Sequence, residues 1–225
     1  MKLKMMVAVA GAVAAMSGAA HAYDPFGVQN DVAYNDVING GWSVVYRADY
    51  GSFASINQVF GSIAAGSKVM LAGIRDGSAT FDVLAAATIE DVLQHTALNT
   101  THAANGVLWY SNAYSMGFAG IGDSISQTSA DTAGLSERDR LSWHTGTSGT
   151  DWNSFVQNPN AAANVLLGGW RSGNNYGLNY STEWDKVVLV QTAAPVPEPE
   201  TYAMMLAGLG LLGVVARRRK QKSTA

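Results

Sequence analysis

The stretch KVMLAGIRDGSATFDVLAAA, Lys68 to Ala87, decides the fold class. Two apolar runs, Val69–Ile74 and Thr80–Ala85, flank Asp76-Gly77-Ser78, which is the turn chemistry of a β-hairpin. Outward from this hairpin, strand alternation recurs and helical periodicity is scarce. In Gly41–Tyr50 the alternation sets Trp42, Val44, Tyr46 and Ala48 on one face. Val107, Trp109 and Ser111 alternate with Leu108 and Tyr110 in the same way. DRLSWHTG, KVVLVQT, NVLLGGWRSG and YGLNYS read as further short strands. Gly, Asn, Asp and Ser punctuate them about every ten residues, as in a sandwich or jelly roll. Helices are predicted over Thr88–Leu98, with Thr88 as N-cap and Glu90 and Asp91 in the first turn, and over Ser52–Ala64. The expectation is an all-β body, a single β-sandwich or jelly-roll-like domain with one or two short helices.

Charge is distributed unevenly. The chain carries 14 basic and 17 acidic residues, but seven of the basic ones lie at its ends. Tyr23–Val196 holds the other seven against 15 acids, a net charge of −8. An acidic body without a basic stripe is a poor partner for nucleic acid, whose binding depends on neutralising phosphates. No cysteine is present, which removes disulfides, thiolate zinc sites and a cysteine nucleophile together.

The two ends read as processing signals. MKLKMMVAVAGAVAAMSGAAHA, residues 1–22, has a positive start at Lys2 and Lys4, an apolar core and the small-x-small site Ala20-His21-Ala22. Those are the parts of a secretory signal peptide, so the Sec-type export machinery and a signal peptidase are expected partners. At the other end, Thr201–Ala216 contains no charged residue. As a helix, these sixteen residues span about 24 Å, slightly less than a ~30 Å hydrocarbon core. Flanking arginines that snorkel make up the difference. Arg217, Arg218, Arg219 and Lys220 then hold the tail on the cytoplasmic side. Ahead of the span, Pro197-Glu198-Pro199 fixes an extended, non-helical handle. The domain expectation is therefore a signal peptide at 1–22, an extracytoplasmic β domain at 23–194 and a terminal sorting segment at 195–225.

Pro-Glu-Pro, a short transmembrane run and a basic cluster, in that order, resemble the PEP-CTERM sorting signal of Gram-negative bacteria. The resemblance implies recognition by a membrane-embedded exosortase, cleavage near Pro197-Glu198-Pro199, and a mature protein at the cell surface or in the extracellular matrix. It also implies an association with exopolysaccharide and biofilm. RLSWHTG, GGWRSGNNYGLN and STEWDKVVLV resemble body segments of some proteins with this signal, and that likeness carries no activity.

Inside the body, all six tryptophans invite a stacking role, and GGWRSGNNYGLN concentrates the polar companions of one. Trp170, Arg171, Asn174, Asn175, Tyr176 and Asn179 combine amphipathic rings with oriented hydrogen-bonding groups, a combination suited to carbohydrate. Packing of each tryptophan in the core is the competing role. Ser142 and His144 share a strand face, with Asp139 just before them. No nucleophile-elbow sequence accompanies them, and no catalytic residue is assigned. His95 and His102 lack zinc spacing. Turn aspartates such as Asp76, Asp123 and Asp139 leave calcium as the one cofactor to consider, without the spaced pattern of a calcium loop. The leading expectation is a non-enzymatic matrix protein that binds carbohydrate. A polysaccharide-acting hydrolase or lyase and a purely structural surface protein are the alternatives.

Overall fold

The computed structural model describes residues 22–125, 138–149 and 160–192, which belong to one compact unit, His21–Pro195. The signal peptide up to residue 21, the membrane span at about 201–216, and the processing residues Ala20, Pro197, Glu198, Pro199, Arg217, Arg218 and Arg219 lie outside the described residues. Ala22 is described and exposed. No helix among the described residues is long and apolar enough to cross a membrane.

The body is mainly β, as expected. In chain order it comprises β1 (Gln29–Ala33), α1 (Tyr34–Asn39), β2 (Trp42–Asp49), β3 (Ala54–Ser55), α2 (Ile56–Phe60), β4 (Lys68–Arg75), β5 (Thr80–Thr88) and α3 (Ile89–Leu93). There follow β6 (His102–Ala104), β7 (Val107–Ser111), β8 (Ser115–Gly120), β9 (Arg140–Gly146), β10 (Val165–Ser172), β11 (Asn175–Tyr176) and β12 (Trp184–Gln191). Two antiparallel sheets form a sandwich. Sheet A runs β1-β5-β4-β12-β2, and sheet B is the meander β11-β10-β9-β8-β7-β6, with β3 also pairing β10.

The core between the sheets follows from alternation. Val69 and Leu71 of β4, Val83 and Ala85 of β5 and Val188 of β12 meet Trp109, Phe118, Leu141, Trp143 and Leu166 from sheet B. The opposite face of sheet A is also buried. Met70, Ala72, Ile74, Leu84, Val187 and Leu189 form a second apolar cluster with Val37 of α1. Topology supplies the reason: β1 and β2 are the two edges of sheet A, so the link through α1 must cross the outer face. Tyr23 closes the same face, with its amide donating to Gly40 O and its carbonyl accepting from Trp42 Nε1 at 2.7 Å.

The hairpin that opened the argument forms with its turn at Asp76-Gly77, where Gly77 has φ +73° and Ser78 N donates to Arg75 O. Both predicted helices exist but are shorter. Thr88 caps α3 as expected, accepting from Asp91 N, and the helix stops at Gln94, whose ψ of 118° lies outside the helical region. α2 begins only at Ile56, where Ser55 and Gln58 make a capping box. YGLNYS is not a strand beyond Tyr176; only the two residues of β11 pair. The single-face reading of β2 also fails. Val188 pairs Tyr46 and Leu189 pairs Val44, so Val45 is the extra residue of a β-bulge. Trp42 and Val44 consequently face the outer cluster, whereas Tyr46 packs on the inter-sheet core.

Candidate functional site

The segment expected to bind carbohydrate is the β10–β11 hairpin, and two bulges shape it. Against β9, the β10 register shifts between Leu166 and Gly168 and again between Gly169 and Arg171. Trp170 is therefore an extra residue with no direct partner on β9. A bulge re-aims the side chain it carries, and Trp170 is only half-buried where its neighbours Gly169 and Arg171 are buried. Its ring stands 6.4 Å from that of Tyr176 at a 43° tilt, and 6.1 Å from His144, edge to face. Gly173, with φ +53°, and Asn174 make the turn. Asn174, Asn175 and Tyr176 are exposed beside it.

The structure thus brings together Trp170, Tyr176, Asn174 and Asn175, but not Arg171. That residue is 1% exposed, and its Nε donates to Gly173 O at 2.7 Å. The reason is local: paired to Ser142 on one side and Tyr176 on the other, Arg171 is inside the sheet. Asn175 lies near the Asp82 carboxylate and favours its charged form. Asp82 itself is a bulge residue of β5, since Gly73 pairs Val83 while Ile74 pairs Phe81. Its Oδ2 accepts from Ser172 Oγ at 2.8 Å. The aromatic hairpin is thereby moored to the other sheet.

Beneath Trp170, the face of sheet B turned away from sheet A is polar and buried. Ser115 pairs His144, Gly117 pairs Ser142, and Ser142 pairs Arg171. Burial pulls the His144 pKa down to about 3; the nearby Asn179 side chain opposes the shift and the Lys186 charge adds to it. The imidazole is therefore neutral at physiological pH. Ser142 and His144 share a face as their spacing predicts, but Asp139 does not join them. It lies five residues from His144 along the chain, about 17 Å in a strand, and its Oδ1 accepts from Asn30 Nδ2 at 2.6 Å. No Ser-His-Asp arrangement forms there.

The turn aspartates face cations of the chain itself. Asp123 lies 3.4 Å from Arg140, and Asp76 3.6 Å from Arg47. Among the described residues, no three His, Cys, Asp or Glu side chains converge on a point that could hold a metal ion. Sequence reasoning missed His144 as a ring partner of Trp170 and Asp82 as the mooring of the hairpin. The one available signal was a lone carboxylate interrupting the apolar run of β5.

A sandwich body bearing an aromatic hairpin, followed by a terminal segment of separate character, defines the class of protein. The terminal segment matches the family described as PEP-CTERM protein-sorting motif over residues 195–220. The chain therefore carries an exosortase sorting signal and is an exported, surface-sorted protein. No curated protein and no solved structure matches the chain.

Proposed function

We propose that the protein is a non-enzymatic component of an exopolysaccharide or biofilm matrix, and that its body holds glycan through weak contacts at Trp170 and Tyr176. The observation that supports this most is the bulge at Trp170. It presents a large ring beside Tyr176 and the exposed amides of Asn174 and Asn175 on a hairpin fastened to both sheets. Aromatic faces with a few fixed polar groups suit a wet, low-affinity sugar site. Maturation would remove residues 1–22 after Ala22, and exosortase would cut near Pro197-Glu198-Pro199 after the apolar span and its basic flank had positioned the precursor in the inner membrane.

Two measurements test the reading. Intact mass and location of the protein from its native host should show a chain starting at Tyr23, ending near Pro197 and lying outside the cell, with Glu198→Ala retaining its tail in the membrane. Binding of the released protein to exopolysaccharide from the host should fall about tenfold, or about 1.4 kcal/mol, in Trp170→Ala or Tyr176→Ala. Surface retention with no glycan binding would instead assign a purely structural role. Turnover of the polysaccharide would assign an enzyme.

A further inference from the structure

A second site lies on the other sheet. An open cavity of about 350 Å³ is lined by Tyr34 and Asn35 of α1, Arg47 of β2, and Ser78 and Ala79 of the β4–β5 turn. Its volume is at the lower end of the ~300–1,000 Å³ range of small-molecule sites.

Each wall is fixed from behind. The Tyr34 ring stacks on Phe81 with centroids 5.2 Å apart, and Tyr34 N donates to Ala79 O at 2.8 Å. The turn is held by Asp76 N donating to Glu183 O and by reciprocal bonds between Ser78 and Thr80. The Arg47 guanidinium is hydrogen-bonded on one edge: Nε donates to the Asp185 carboxylate at 2.5 Å, and that carboxylate is 7% exposed. A buried carboxylate behind an arginine orients the planar fork. Arg47 Nη2 is 3.6 Å from Asp76 Oδ1, beyond hydrogen-bond length, so the outer edge of the fork keeps open donors at a side chain 41% exposed. The Asn35 side chain is exposed and makes no hydrogen bond among the described residues.

The cavity therefore offers guanidinium and amide donors, an amide acceptor at Asn35, and an apolar side formed by Tyr34 and Ala79, with the Asp76 carboxylate beside Arg47 at its margin. Its charges decide the ligand class. The Arg47 cation is already paired with the Asp185 and Asp76 carboxylates, so little of its charge is left to draw in an anion. Adjacent hydroxyls, each donor and acceptor, can use both kinds of group. We propose that this cavity binds a neutral, hydroxyl-rich ligand the size of one sugar residue. The proposal stands apart from the Trp170–Tyr176 surface, which lies on sheet B. If both sites act, the domain joins two glycan chains.

The test is titration of the full-length chain, in a detergent without a sugar head group, followed by saturation-transfer NMR. The probes are the methyl glycosides of glucose, galactose and mannose, with glucuronate and inorganic phosphate as anions. At least one neutral glycoside should bind and the anions should not. Asn35→Ala, a surface change that leaves the fold intact, should weaken binding about tenfold, and Arg47→Lys, which keeps the charge but loses the fork, should do likewise. Wild type and the two variants are compared in a Tyr176→Ala background, which removes the other surface from the affinity that is read. Absence of neutral-glycoside binding, tighter binding of either anion, or an Asn35→Ala affinity equal to wild type would each overturn the proposal. Loss of binding in Tyr176→Ala alone would assign the sugar to the other surface and overturn it too.

Discussion

Ser172 Oγ donates to Asp82 Oδ2 at 2.8 Å, a hydrogen bond that runs from β10 in one sheet to β5 in the other. It exists because a bulge turns Asp82 toward the inter-sheet space, and Gly173 leaves room for the carboxylate where a Cβ would crowd Asp82 Oδ2. The bond joins the mooring of the aromatic hairpin to the closure of the sandwich.

Removing either partner should therefore have different results. Burial pushes the Asp82 carboxyl above its ordinary value, against the hydrogen bond from Ser172 and the charge of Arg138. The folded state then holds the proton more tightly than the unfolded state, so stability falls as pH rises from about 3.8 through the raised value and stays lower above it. Asp82→Asn keeps an acceptor and removes that loss. It should be at least as stable as wild type at neutral pH. Ser172→Ala leaves the carboxylate without its hydroxyl and should cost about 1–3 kcal/mol. Urea unfolding of the two variants checks the order.

Lys186 should make the protein more stable in mild alkali. Its Nζ is buried and donates to Tyr50 O and Ser52 O, at 3.0 and 2.7 Å. Burial lowers its pKa to about 7, although the Asp49 charge opposes the shift. Between that value and its ordinary 10.5, the unfolded chain binds the proton that the folded one has released, so stability rises with pH across this window. Thermal midpoints at pH 7 and 9 should increase in wild type. The increase should disappear in Lys186→Met, which also loses both hydrogen bonds and should be the less stable protein.

His144 acts on the acid side. Its pKa, pulled to about 3, favours the neutral ring in the fold, so its contribution is complete above about 6.5 and is lost as pH falls toward 3. The ring resonances should not titrate between pH 5 and 8. His144→Phe should narrow the gap between thermal midpoints at pH 7 and pH 4, while the edge contact with Trp170 survives. A His144 that titrates near its ordinary value would mean that water reaches this face.

Gly169→Ala should be severe. A Cβ at this position would overlap the Tyr50 ring, which is fully buried and whose hydroxyl donates to Arg171 O. Overpacking of this kind costs about 1–3 kcal/mol. Gly77→Ala has open space around it but a left-handed φ, and the strain at an exposed turn should cost about 1 kcal/mol. Chemical denaturation of the pair separates crowding from backbone strain.

The sandwich was legible because apolar alternation and turn residues coincide at Lys68–Ala87 and again at β7, β9 and β12. What escaped the sequence was concentrated at three bulges. Val45 reverses the faces of β2, Asp82 is turned toward the other sheet, and Trp170 is lifted out of β10. A bulge is one residue of register, decided by the partner strand and not by the strand that carries it, so periodicity along one segment cannot reveal it. Arg171 was misplaced for the same reason. Its neighbour in the bulge faces outward, and it does not. β1 was missed because Gln29, Asn30 and Asp31 are poor strand formers, held at an edge by pairing with β5.

The position of β12 bears on how the exported chain acquires its shape. This strand lies between β4 and β2, yet it is the last described one, just ahead of residues 195–220. A polypeptide emerging from its N-terminus can assemble the β6–β11 meander from neighbours in sequence. Sheet A has that option only for its β4–β5 hairpin: until β12 arrives, β2 has no partner among the described strands and β4 presents an open edge. Closure requires contacts between residues as distant as Trp42 and Gln191, the kind of long-range pairing that slows folding. The body therefore completes its fold only after its last strand, directly ahead of the sorting segment, has emerged.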